Sequence, residues 1–156
     1  MKNVFITAFV AIALGASLAH AADTGGSVAQ PTASERVQLA RDAIKAKDWK
    51  KSVAELRLAV REEPRNADAH NLLGYSYRKQ ATPDLAKAFE HYNTALKLDP
   101  KHKGAHEYIG EAYLMDKKPA EAEKHLAELE KLCGNKTCEE YADLAKALSD
   151  YKAKNP

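Results

Sequence analysis

The sequence has no excess of either charge: 24 lysines and arginines face 22 aspartates and glutamates, a formal charge of +2 over 156 residues. So even a balance argues against nucleic acid or an anionic membrane as the main partner, and leaves partner preference to local patches. A long hydrophobic run is also missing. The apolar stretch from Val4 to Leu18 is shorter than the roughly 20 residues a spanning helix needs, and no basic stop-transfer segment follows it. There is no Gly-x-Ser-x-Gly elbow, no glycine-rich phosphate loop, no His-Glu-x-x-His and no Cys-x-x-Cys-His. The common serine-hydrolase, nucleotide, zinc-protease and covalent-haem chemistries therefore have no motif here, and a non-enzymatic protein without a cofactor is expected. Cysteine is limited to Cys133 and Cys138.

What the first residues do contain is the pattern of a secretory signal: Lys2, the short apolar stretch, then Ala19-His20-Ala21 with small residues where a signal peptidase reads. The expectation is a signal peptide over residues 1–21, cleavage near Ala21, and a periplasmic or secreted product with no stable membrane insertion. Cleavage would remove Lys2 and no acid, leaving 23 bases against 22 acids, or +1. In such an oxidising space two cysteines a few residues apart are expected to form a disulfide. Residues 22–32 mix Gly, Ser, Thr and Pro with few large apolar side chains and read as a flexible linker.

From residue 33 a helical period sets in, and it repeats. Leu39-Ala40 with Ala43, Leu73-Gly74 with Tyr77, and Ile109-Gly110 with Tyr113 share one pattern: large apolar, small, then apolar or aromatic three further on. A second set follows each: Ser52, Leu56, Ala59; Ala88, Tyr92, Ala95; Ala122, Leu126, Leu129. Spacings of i, i+4 and i+7 put each set on one helix face, so every unit is two amphipathic helices folded together. Pro64 and Pro100, each after an acid, and Gly134 in the third unit end the second helices. Ala40 to Gly74 is 34 residues and Gly74 to Gly110 is 36; the two extra fall at Ala81-Thr82-Pro83-Asp84, where Pro83 stands as a helix starter.

These anchors resemble the tetratricopeptide repeat family, over about two thirds of the chain. The resemblance implies an all-α fold: a right-handed superhelical solenoid of three helix-turn-helix repeats at 33–66, 67–102 and 103–136. The family's aromatic near the start of the first helix is replaced here by Arg36, His70 and His106. A C-terminal capping helix is expected over 137–153, opened by a Thr137/Glu140 capping box and carrying the stripe Tyr141, Leu144, Ala145, Leu148 and Tyr151. The Cys133–Cys138 bond would tie that cap to the third repeat and contribute about 2 kcal/mol in the chain-entropy model.

Solenoids of this kind present their first helices as a concave face that takes an extended segment or a helix of another protein. The register marks Arg41, Asn71, Tyr75, Arg78, Glu107, Tyr108, Glu111 and Leu114 as exposed groove positions, with Val37, Lys45 and Lys79 beside them. Such a groove grades from basic to acidic around Tyr75 and Tyr108, residue types that often dominate interfaces. Val37, Leu72 and Gly104 stand where chaperone-tail binders of this family carry a Lys/Asn/Arg clamp, so that partner is not expected. The expected partner is an envelope or secreted protein, with homo-oligomerisation as a variant. The alternative is a metal- or redox-linked carrier using Cys133/Cys138, or His102 and His106 four residues apart, with His91 and His125 solvated.

Overall fold

The computed structural model describes residues 29–155. The expected signal peptide and most of the linker lie outside these residues. Among the described residues seven helices follow one another without a strand: α1 Ala33–Lys45, α2 Trp49–Glu62, α3 Ala67–Lys79, α4 Leu85–Leu98, α5 Lys103–Met115, α6 Pro119–Cys133 and α7 Glu139–Lys154. They pair as three antiparallel hairpins, α1/α2, α3/α4 and α5/α6, with α7 packed on α5 and α6. The all-α solenoid read from the sequence is the fold observed.

Helix starts are set by side chains that satisfy the otherwise unpaired first-turn N–H groups. Thr32 and Glu35 form a full capping box at α1, which the sequence reading did not single out. Asp48, Asn66, Asp84 and the His102 imidazole each accept the N–H three residues on. Asp84, not Pro83, is therefore the boundary residue of α4. Pro119 opens α6, and Gly134 closes it at φ 66° in the left-handed region that suits glycine.

The capping box expected at Thr137 and Glu140 does not form. Cys138 is the N-cap of α7 and makes no side-chain cap bond. Thr137 instead donates its backbone N–H and its hydroxyl to Asn135 Oδ1, at 2.9 Å each, and Glu140 faces Lys103 at 3.9 Å. The disulfide between Cys133 and Cys138 spans the turn between α6 and α7.

Close packing depends on small residues facing large ones. A Cβ on Gly74 would lie 2.8 Å from the ring of fully buried Tyr92, and one on Gly110 would lie 2.6 Å from Leu144. Gly74 thus lets α4 approach α3, and Gly110 lets α7 approach α5. One apolar core runs through all three hairpins by way of Ala40, Leu56, Leu73, Tyr92 and Ile109. A second core, Leu114, Ala122, Leu129, Leu144 and Leu148, is closed by α7. Without that helix its leucines would face water, at a cost of about 25 cal/mol for each Å² of apolar surface exposed. Capping the solenoid end is what the C-terminal stripe does.

Candidate functional site

The first helices of the hairpins lie side by side, α1 against α3 and α3 against α5, and α7 packs on α5. Tyr75 of α3 and Tyr108 of α5 meet at a ring-centroid distance of 4.7 Å. Trp49 of α2 adds an edge contact to Tyr75 at 6.0 Å, and Tyr92 lies 6.4 Å from Tyr108. The Arg78 guanidinium sits 5.4 Å from the Tyr75 centroid and 5.7 Å from that of Tyr108, within cation–π reach of both. Its Nε donates to the Tyr92 hydroxyl at 3.3 Å, and the same guanidinium pairs with Glu111. Arg78 therefore fixes the two tyrosines from below. Arg41 pairs with Asp68 of α3, which also lies 3.4 Å from His102 Nε2.

The aromatic pair forms one wall of a hollow of about 210 Å³ bounded by Arg41, Ile44, Lys45, Leu72, Tyr75 and Tyr108. A second hollow, about 370 Å³, runs between the C-terminal ends of α3, α5 and α7 and includes Arg78, Lys79, Glu111, Leu114, Met115 and Tyr151. Met115, with 45% of its surface exposed, is the exposed large apolar side chain of the described residues. Tyr75 and Tyr108 line the first hollow and Arg78 the second. Burial pushes the Tyr75 hydroxyl up, and burial with nearby carboxylates takes Tyr108 to about 12. Both stay neutral hydroxyls, able to donate or accept.

The register placed these residues on one face, but it overstated their exposure. Val37, Asn71, Arg78, Glu107 and Leu114 are buried, while Arg41, Tyr75, Tyr108 and Glu111 are half-buried and Lys45 and Lys79 are exposed. A single-helix register sees only one helix, whereas here each first helix is flanked by the next, with α7 beside α5. The accessible part of the face is the aromatic ridge and its lysine rim.

The histidines also differ from expectation. His91 and His125 are not solvated: each is half-buried, with Nδ1 3.2 Å from His70 Nδ1 and 2.9 Å from His106 Nδ1, respectively. Tyr77 and Tyr113 stack on them. His106 also uses Nε2 against the Pro100 carbonyl at 3.0 Å, and His102 uses Nδ1 to cap α5. All four ring nitrogens of His102 and His106 thus have other partners, so the i, i+4 metal pair is not assembled. A match between positions 34 to 36 residues apart in the sequence would have found the histidine pairing. Among the described residues, the trio of potential metal-ligating atoms that lies within 4.8 Å is Cys133, Cys138 and Glu140. Its two sulfurs are joined to each other and offer no thiolate. No helix of the described residues is long and apolar enough to cross a membrane.

Comparison with known proteins follows the same lines. A family model described as tetratricopeptide repeat matches residues 37–102 and 84–135. Comparison with curated proteins finds no match. Among solved structures, the TPR2B domain of yeast Sti1, solved in complex with pHsp70, superposes with a TM-score of 0.70 at 15% identity, covering 79% of this chain and 98% of that one. The Yersinia enterocolitica type III secretion translocator chaperone SycD gives 0.70 at 18% identity, covering 82% and 97%. The first TPR of Spaghetti (RPAP3), bound to the HSP90 peptide SRMEEVD, gives 0.68 at 17%, covering 78% and 94%. At these identities the likeness is one of fold.

Proposed function

Because the chain belongs to the tetratricopeptide repeat family, with its repeat model matched from residue 37 to residue 135, we propose that it is an exported interaction scaffold or assembly factor of the cell envelope. Its aromatic face holds a segment of an envelope or secreted protein. The observation that carries this reading is the half-open hollow at Tyr75 and Tyr108, rimmed by Arg41 and Lys45 and braced from below by Arg78. Aromatic rings already held in place lose little conformational freedom on binding, which favours their use as anchors. Solved relatives of this fold in complex with pHsp70 and with a short HSP90 peptide support a protein partner. The chaperone-tail clamp is not present at Val37, Leu72 and Gly104, which favours a different sequence in the groove. Export is supported by Lys2, the Val4–Leu18 stretch and Ala19-His20-Ala21, and a Cys133–Cys138 bond suits an oxidising compartment.

The test is crosslinking of the tagged full-length protein in its own compartment, followed by mass spectrometry, for wild type, Tyr75→Ala and Lys45→Glu. Arg78 is unsuited to this comparison because its removal strips Glu111 and the Tyr92 hydroxyl of a buried partner. Loss of one specific crosslinked partner in both variants is expected, with helicity unchanged in both and melting unchanged in Lys45→Glu, whose side chain is exposed. Retention of that partner in both would refute the groove assignment. Terminal sequencing of the recovered protein reads the cleavage near Ala21 directly.

A further inference from the structure

Glu107 stands at the place in α5 that Asn71 occupies in α3, 36 residues earlier. Only 8% of its surface is exposed, and it has no hydrogen bond or ion pair among the described residues. A carboxylate so deeply placed normally has a cation or several donors. The charged groups around it come from three helices. Glu111 and Lys103 share α5, Glu140 and Asp143 face it from α7, and Arg78 approaches from α3. Both cations are already engaged: Arg78 pairs with Glu111 and Lys103 lies nearest Glu140, at 3.9 Å. Burial and the three neighbouring acids push the Glu107 carboxyl up to about 8.

Asn71 repeats the situation one hairpin earlier. It is 4% exposed, and its Oδ1 is buried with no hydrogen-bond partner. Its amide nitrogen lies 3.3 Å from where a Cβ on Gly104 would be, one turn before Glu107 on α5. Successive helices therefore carry unfilled acceptors at the same repeat position, on the face where Tyr75 and Tyr108 meet. Among the described residues Asn71 Oδ1 is fully enclosed and the Glu107 oxygens are not, so it is at Glu107 that a donor from outside has access.

We propose that Glu107 is the receptor for a lysine or arginine side chain of the segment bound in the groove. This rests on the groove reading above and adds the partner's chemistry to it. An amino acid side chain fits better than a metal ion, because Glu107, Glu111, Glu140 and Asp143 do not bring three oxygens within 4.8 Å of one another. Spread acceptors suit a guanidinium or a long-stemmed ammonium, whose donors point in several directions. Such a cation requires the ionised carboxylate, so below pH 8 one proton leaves Glu107 as the partner binds.

The test selects phage-displayed random dodecapeptides on the purified full-length protein at pH 8.5, and measures fluorescein-labelled copies of the enriched sequences by anisotropy from pH 6 to 9. Enrichment of one lysine or arginine beside an apolar anchor is expected. Affinity should rise close to tenfold per pH unit between 6 and 7 and level off above 8. Glu107→Gln should weaken binding at least tenfold at pH 8.5 and flatten the profile; replacing the peptide's basic residue by glutamine should do the same without altering the protein. Peptides that lack a basic residue, or that ignore Glu107→Gln but are lost with Tyr75→Ala, overturn the cation receptor and leave the groove intact. Peptides indifferent to both substitutions, or no enrichment at all, overturn both. Calorimetric binding of calcium or zinc that disappears in Glu107→Gln overturns it in favour of a metal.

Discussion

In the first hairpin Arg36 reaches from α1 to Glu55 at 3.1 Å and to Glu62 at 2.9 Å, both on α2. At the same register the second and third hairpins set one imidazole against another, His70 against His91 and His106 against His125. Arg36, His70 and His106 are equivalent positions, as are Glu55, His91 and His125. The same interface is therefore closed once by opposite charges and twice by a pair of imidazoles. The reason lies in what precedes each hairpin. His70 and His106 also bond the Pro64 and Pro100 carbonyls, at 3.1 and 3.0 Å, and so tie each hairpin to the turn before it. An imidazole can serve a carbonyl on one edge and a partner ring on the other. The first hairpin follows no earlier one among the described residues, and there Arg36 spends its donors on two carboxylates of its own hairpin. The difference separates an end unit, held within itself, from inner units that also hold their neighbours.

The sharpest way to break the comparison is at the small residue one turn further along. The first hairpin has Ala40 and Leu56 where the second has Gly74 and Tyr92. Gly74→Ala would press a methyl within 2.8 Å of the Tyr92 ring and 3.0 Å of the Ala88 carbonyl. Overpacking at a filled site costs about 1–3 kcal/mol, partly offset by the better helix propensity of alanine. Urea unfolding should show a net loss of about 2 kcal/mol for Gly74→Ala. In a Tyr92→Leu background, which mimics the first hairpin, the same substitution should cost less than half as much. Equal costs in the two backgrounds would show that the backbone of α4, rather than the ring, sets the spacing.

Acid should separate the two chemistries next. Burial and the facing His106 hold the His125 imidazole down at about 4, and His91 is lowered by burial and by His70. Folded values below the unfolded one mean that the unfolded chain binds more protons between pH 4 and 6.5. This contribution is complete above pH 6.5 and is lost as pH falls towards 4. The His125 pair of the third hairpin should thus cost the fold about 1–2 kcal/mol over that window, discounted for its partial exposure, and the His91 pair should act in the same direction, while Arg36 keeps its charge throughout. Converting the third hairpin's pair to the first hairpin's form, His106→Arg with His125→Glu, should flatten the pH dependence of melting between pH 4 and 6.5. An unchanged slope would assign the acid sensitivity elsewhere.

Much of this was legible beforehand, and what was not has a common cause. Leu73-Gly74 and Ile109-Gly110 announce their hairpins because a helix repeats its face every three or four residues, a local property. The histidine pairs join residues 21 and 19 apart on antiparallel helices, and each histidine alone reads as an ordinary polar position. The burial of Asn71, Arg78, Glu107 and Leu114 depends on how closely neighbouring first helices approach, which the single-helix register does not contain. Thr137 shows the reverse error: its spacing to Glu140 suits a cap, but Asn135 takes both of its donors, and Cys138 is the N-cap instead.

The smallest effect is expected at the first hairpin itself. Glu55→Gln keeps the shape and one acceptor oxygen opposite Arg36, while Glu62 continues to supply a charge. Arg36 is buried and Glu55 is partly so, so the loss should exceed that of a surface pair, yet the second carboxylate limits it to about 1 kcal/mol. Glu62→Gln alone should cost less still, because Glu62 is the more exposed partner, at 41% against 21%. Replacing both should exceed the sum of the single losses, since only then does the buried guanidinium lack any counter-charge. A double-mutant cycle by urea unfolding reads this directly. Strict additivity would mean that Arg36 swings out to water when challenged, and that the end unit is closed by its apolar contacts alone.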